Sequence, residues 1–196
     1  MSSPESLHSL SCVACGAKYP ADFVETASVR CNVRAFAEQR FDVWRCPECR
    51  SIHARQPVEL SRYYAAYPFH ALPDDVRVRL VYGNQLARLR RAGLRSSHTI
   101  LDYGCGSGEF VRYLKARGYE QTFGFDAYNP AYDSVAQLDR QFDCVLAQDV
   151  LEHVESPSAL LNQLASLTRP GGILCIGTPN ADAIHLDRPE EFVHTL

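Results

Sequence analysis

Excess charge, long apolar runs and targeting signals are what this sequence lacks. Its 20 Lys and Arg residues face 23 Asp and Glu, for a net charge of −3, and the pI is near 6.1. That balance excludes a strongly basic nucleic-acid footprint and leaves only a local patch open. No apolar stretch reaches the roughly 18 residues that a bilayer-spanning helix needs. The opening MSSPESLHSL has no basic n-region and no apolar h-region, so no secretory leader is expected. Together these absences predict a cytoplasmic protein that makes no use of a membrane and keeps its thiols reduced. What is present is ordinary globular composition, 46% hydrophobic and 22% charged over 196 residues. That is enough for one core, or a core with a small satellite.

The eight cysteines fall into two groups. Cys12 and Cys15 in CVACG, and Cys46 and Cys49 in CPECR, form two CxxC pairs. A CxxC turn points two thiolates at one ion, and two such turns complete a tetrahedral zinc site. Gly16 suits the tight knuckle. The segments between the pairs are β-prone, so residues 11–52 read as a zinc ribbon on short hairpins, behind a flexible tail over 1–10. A redox or disulfide role for the pairs is disfavoured by compartment. Cys31, Cys105, Cys144 and Cys175 stand alone, and Cys31 reads as a spare thiol. Four thiolates leave zinc no open position, so the metal is assigned to folding.

Residues 53–95 change character. Tyr63, Tyr64, Tyr67 and Phe69 gather before Pro73, as core or as lining of a pocket that favours a cation. A helix follows, with Asp74 as N-cap, Val76, Leu80, Leu86 and Leu89 as its apolar stripe and Gly93 closing it. Its arginines (Arg77, Arg79, Arg88, Arg90, Arg91, with Arg95 beyond) read as a solvated face, with phosphate tracking as the alternative.

From residue 96 onward strands alternate with helices. HTILDYG, QTFGFDA, FDCVLAQDV and GILCIGTPN read as strands. GEFVRYLKARG reads as a helix with Phe110, Val111 and Leu114 on one face. SPSALLNQLASL reads as a second, with Ser156 as N-cap, Pro157 at the first position and Leu160, Leu161, Leu164 and Leu167 as stripe. The alternation predicts an α/β fold: a Rossmann-like, doubly wound, mostly parallel sheet. Gly104, Gly106 and Gly108 then lie at the carboxyl end of the first strand, where such sheets bind ligands and where the next helix offers free N–H groups. The dinucleotide fingerprint needs glycine at 109, and Glu109 stands there instead. Asp102 also suits a positive ligand group, and Asp126, closing the second strand, is placed for ribose hydroxyls. The pattern asks for a nucleoside with a cationic, phosphate-free tail, which S-adenosylmethionine is.

These motifs resemble the class I S-adenosylmethionine-dependent methyltransferases over roughly residues 96–180. LDYGCGSG is similar to their D-x-G-x-G-x-G motif, GFDA to the acidic end of their second strand, FDCVLAQDVLEHV to the fourth-strand motif and RPGGILCIGTPN to the fifth. DVLEHVESP followed by LTRPGG resembles small-molecule enzymes, among them the ubiquinone-pathway O-methyltransferases. Zinc-binding N-terminal segments also precede this domain in sugar C-methyltransferases and some rRNA guanine methyltransferases. The resemblance implies a cofactor site of Asp102, Tyr103, Gly104, Cys105, Gly106, Gly108, Asp126, Ala127, Gln148 and Asp149. It implies a methyltransferase domain over 96–196, C-terminally shortened relative to the family, whose two further strands find no counterpart before Leu196; the sequence reads as a reduced sheet or a fragment. Too few residues separate Asp126 from Phe142 for a full helix and a third strand, so a contracted crossover is expected, with Asp133 the nearest candidate for adenine.

His153, in LEHV, is the candidate general base; the other reading packs it against the next helix. Glu152 and His153 together could touch a divalent ion or substrate, and His185 and His194 lie in the terminal segment. The expected activity is O- or C-methylation of a small-molecule acceptor, with no oligomeric state legible. The alternatives are an RNA methyltransferase that uses the ribbon to bind nucleic acid, and a non-catalytic S-adenosylmethionine-binding partner subunit.

Overall fold

A computed structural model describes residues 9–31, 33–56, 58–64 and 76–188. Of the flexible tail expected over 1–10, residues 1–8 lie outside the described residues, and Ser9 and Leu10 belong instead to a strand paired in a hairpin; Tyr67, Phe69, the Asp74 cap and His194 also lie outside the described residues. The chain forms two compact units. The described part of the first is residues 9–31, 33–56, 58–64, 155–157 and 179–188, and of the second 76–154 and 158–178.

The first unit starts with a hairpin, β1 (Ser9–Ser11) and β2 (Lys18–Pro20), and continues as an antiparallel sheet of β3 (Glu25–Arg30), β4 (Arg40–Arg45) and β5 (Ile52–Ala54). One CxxC turn joins β1 to β2 and the other joins β4 to β5. In both, the amide four residues on closes back on the first cysteine's carbonyl: Gly16 to Cys12 at 2.8 Å and Arg50 to Cys46 at 3.0 Å. That amide belongs to a left-handed residue in each case, Gly16 at φ 78° and Arg50 at φ 65°. A ribbon this small is expected to need its metal to fold. It has its own apolar filling: Val29 and Val43 pack with Leu186, and Trp44 packs with Leu10, Tyr19 and Val24. Leu186 belongs to the return segment 179–188, which buried Arg45 also grips. Its guanidinium donates to the carbonyls of Arg50, Ala181 and Ile184 and pairs with Glu25. After β5 a short helix, α1 (Leu60–Tyr64), brings Tyr63 against Phe36 and Phe41, its hydroxyl donating to Gln39 at 2.6 Å. Tyr63 is therefore part of the ribbon's packing.

The second unit is a four-stranded, all-parallel sheet ordered β7-β6-β8-β9, from β6 (Ile100–Tyr103), β7 (Thr122–Phe125), β8 (Phe142–Gln148) and β9 (Thr168–Gly177). Strand alternation sends successive side chains to opposite faces. Ile100, Cys144 and Leu146 face a core with α2 (Val76–Arg91) and α3 (Glu109–Lys115). Leu101, Val145 and Ala147 face one with α4 (Pro157–Leu167). Helices thus cover both faces, as a doubly wound sheet requires. The stripes on α3 and α4 are buried at Phe110, Val111, Leu114, Leu160, Leu164 and Leu167, while Leu161 is partly exposed. The stripe on α2 differs from the expected one. Leu86 and Leu89 are buried and Tyr82 packs beside them, but Val76 and Leu80 are 69% and 63% exposed. Leu80 precedes Tyr82 by two residues, which at 3.6 residues per turn puts it on the opposite side of the helix. Between Asp126 and β8 there is only a short 3-10 turn, Val135–Asp139, and no strand. The crossover is contracted, as the sequence spacing requires.

Candidate functional site

The four paired cysteines bring their Sγ atoms within 4.8 Å of one another. Cys12 and Cys49 are 3.6 Å apart and Cys15 and Cys46 3.7 Å. A tetrahedral zinc with bonds of ~2.3 Å sets its sulfurs ~3.8 Å apart, so the cluster fits such an ion. All eight cysteines are free, and Cys31 is buried away from the cluster. Sequence reading missed two neighbours. The Ser51 hydroxyl lies 2.9 Å from the Cys49 sulfur and 2.7 Å from His53 Nε2, and His53 lies 3.2 Å from Cys12 Sγ. Their proximity to CPEC was the only signal.

The glycine loop leaves the carboxyl end of β6. Gly104, Gly106 and Gly108 all have positive φ, at 77°, 55° and 73°, which a side chain tolerates poorly. A methyl group on Gly104 would also run into Val150 Cγ2. The loop's amides are used differently from expectation. Those of Gly104 and Cys105 go to the Phe125 carbonyl, at 2.7 and 3.1 Å, and that of Gly108 goes to the Cys105 carbonyl at 2.9 Å. The Gly106 amide donates to Asp126 Oδ2 at 2.8 Å. These four amides are not offered to a phosphate. The loop gathers carboxylates instead. Asp102 and Asp126 are both buried, 6% and 7% exposed. Burial, and then the charge of Asp126, pushes the Asp102 carboxyl from 3.8 up to about 7. Burial first, with the charges of Asp102 and Asp126 behind it, pushes the Cys105 thiol up to about 12. Such a place is short of positive charge.

Asp126 Oδ1 accepts the Tyr128 amide at 2.9 Å, so both its oxygens bind backbone and also tie the loop shut. Ala127 follows it and is exposed. Tyr103 turns away from the loop, its ring against Phe125 and its hydroxyl on Gln163 at 3.2 Å. At the tip of β8, Gln148 lies over Gly177, where a methyl group would meet its amide. Its Nε2 donates to Asp149 Oδ1 at 3.2 Å. Asp149 has φ 53°, an uncommon backbone for a non-glycine residue. A 3-10 turn, Leu151–His153, then carries the candidate base. Burial holds His153 below its ordinary 6.5, against the opposing charge of Asp149. Burial also holds Glu152 above the usual carboxylate range, and its Oε2 accepts the Thr178 hydroxyl at 3.1 Å. Asp133 is exposed beyond Tyr132, and His185 is exposed in the return segment. Asn129, Tyr132 and Val150, which back the loop, carried no motif to identify them.

Comparison with known proteins agrees with this geometry. A ubiquinone biosynthesis O-methyltransferase of Xanthomonas oryzae pv. oryzae is 33% identical over 134 residues, covering 58% of this chain and 52% of that protein. One from Parvibaculum lavamentivorans is 30% identical over 100 residues, covering 41% and 40%. The chain thus spans about half the length of the curated relatives it matches. No described helix is long and apolar enough to cross a membrane. A family model described as a methyltransferase domain matches residues 77–194, more than half of the chain. With a parallel sheet that carries a glycine loop and buried carboxylates at its carboxyl end, the chain belongs to the methyltransferase domain family, of the class I, S-adenosylmethionine-dependent kind.

Proposed function

We propose that this chain methylates an oxygen of a small organic acceptor, with S-adenosylmethionine as donor. The observation that carries the reading is the pair of buried acids, Asp102 and Asp126, at a glycine loop where the amides of Gly104, Cys105, Gly106 and Gly108 are already committed. A phosphate would be repelled there, and an ammonium would be attracted. The donor set therefore fits S-adenosylmethionine, which supplies a methyl group on a positively charged sulfur that leaves as a neutral thioether.

The residues divide the rest. Asp102 attracts the amino-acid end of the ligand, and Gly104, Cys105, Gly106 and Gly108 allow close backbone approach. Asp126, with lone pairs beyond those given to backbone amides, accepts from ribose hydroxyls. Gln148 and Asp149 stand at the tip of β8 to orient the donor and acceptor, which is the larger part of such catalysis. His153, neutral near pH 7 because it is buried, takes the acceptor's hydroxyl proton as the new C–O bond forms. Oxygen is preferred over carbon because the relatives' names specify O-methylation. The four-cysteine cluster holds zinc as a folding element, since four thiolates leave no coordination position for chemistry. The net charge of −3 gives nucleic acid no electrostatic advantage.

The test is transfer from methyl-labelled S-adenosylmethionine to a panel of small phenols and alcohols, with products identified by mass spectrometry. A methyl ether formed by the zinc-loaded protein and lost in His153→Ala supports the reading. Tight cofactor binding with no transfer to any hydroxyl, or transfer only to RNA, overturns it.

A further inference from the structure

The segment from Asp126 to Tyr132 is laced onto the glycine loop. Asp126 takes the Gly106 amide, and Asn129 Nδ2 donates to the Gly106 carbonyl at 2.7 Å. Both polar groups of that peptide neighbourhood are thus held by one short stretch. The stretch holds itself in turn: Tyr132 donates its amide to the Asn129 carbonyl at 2.8 Å, and its carbonyl accepts the Asp126 amide at 3.0 Å. The Asn129 side chain also accepts the Ala131 amide at 3.0 Å. The Tyr132 ring fills the space that two glycines leave. A methyl group on Gly108 would collide with the ring's hydroxyl end, and one on Gly124 would come within 2.8 Å of its Cδ1 and 2.7 Å of Cys105 Sγ. Arg112, on the helix that follows, braces the same loop by donating to the Ser107 carbonyl at 2.9 Å. All of this lies where the crossover is too short for a helix of its own.

We propose that Tyr132 is a positioning residue for the cofactor cradle, a wedge between Gly108 and Gly124 that keeps the glycine loop in its binding conformation. Gly124 is then required by Tyr132 and Cys105, and not by the cofactor. The proposal rests on reading the loop as a cofactor cradle. Tyr132 acts on the loop and takes no part in the chemistry.

The test uses the zinc-loaded full chain, S-adenosylhomocysteine calorimetry and amide hydrogen exchange. Because a loosened loop must be ordered on binding, Tyr132→Ala should weaken binding about tenfold or more. The Gly106 and Gly108 amides should exchange faster, while those of Leu101 and Leu146 in the sheet keep their rates. Tyr132→Phe, which keeps the ring, should restore binding to within about threefold. Gly124→Ala should loosen the loop in the wild-type background and have a smaller effect once Tyr132 is Ala, the non-additivity expected of residues in contact. If Tyr132→Ala unfolds the sheet as well, Tyr132→Leu, which keeps apolar bulk without the ring, takes its place. Unchanged loop exchange and affinity in that variant, or in a folded Tyr132→Ala, overturns the proposal. Should the wild type bind no S-adenosylhomocysteine, the cofactor reading fails, and loop exchange still decides whether Tyr132 is the wedge.

Discussion

Protonation of Asp102 should set how tightly the chain holds a cationic nucleoside. Its carboxyl is pushed to about 7 by burial and by the neighbouring Asp126. An ammonium placed beside the pair offsets both effects, so the ionised carboxylate is the form that binds. A group with a pKa near 7 is ionised in about nine-tenths of molecules at pH 8 and about one-tenth at pH 6. The dissociation constant for S-adenosylhomocysteine should therefore be about tenfold larger at pH 6 than at pH 8, a difference of about 1.4 kcal/mol. At pH 6 binding should release close to one proton, read from how the calorimetric heat varies with the ionisation enthalpy of the buffer. Folding of the free protein has a matching dependence. The folded state holds the Asp102 proton above the pH at which the unfolded chain has lost it. This group's contribution to stability therefore falls as pH rises from about 4 to about 7, and bound ligand reverses part of that loss. Asp102→Asn should flatten the affinity profile. A constant dissociation constant between pH 6 and 8, or the same slope in the Asn variant, would refute the reasoning.

Three further outcomes are expected. His153→Ala should lower kcat by about 10²–10⁴-fold and leave S-adenosylhomocysteine affinity unchanged; since burial holds the ring below 6.5, the wild-type kcat should stay level down to about that pH. Gly104→Ala combines a φ of 77° with a collision against Val150, so it should destabilise the protein by about 1–3 kcal/mol in thermal unfolding and abolish cofactor binding. Metal analysis should find one zinc per chain, and chelation should speed amide exchange in β3, β4 and at Ile184 and Leu186 while β6 and β8 keep theirs; a return segment still protected without metal would count against the ribbon's role.

The sheet was legible because its strands are short apolar runs bounded by glycine and acidic residues. The contracted crossover was legible because chain length alone forbids a helix and a strand between Asp126 and Phe142. The cysteine pairs were legible by spacing. Other features were not. The α2 stripe was misread at Val76 and Leu80, since a helix rich in arginine offers several overlapping periodicities and only packing selects among them. Nothing local in Arg45 or Leu186 marks a buried clamp joining segments far apart in sequence. The commitment of the loop's amides to its own chain was hidden as well. It depends on where the carbonyl of Phe125 and the carboxylate of Asp126 fall, which is settled by the register of β6 against β7.

A carboxylate-lined glycine loop should select a cationic nucleoside over a dinucleotide. The most direct test is calorimetric titration of the zinc-loaded protein with S-adenosylhomocysteine and, in parallel, with NAD. The first should bind saturably at one site, in the micromolar range by order of magnitude, and the second should give no heat. Saturable NAD binding, or a folded protein that ignores S-adenosylhomocysteine, would contradict it.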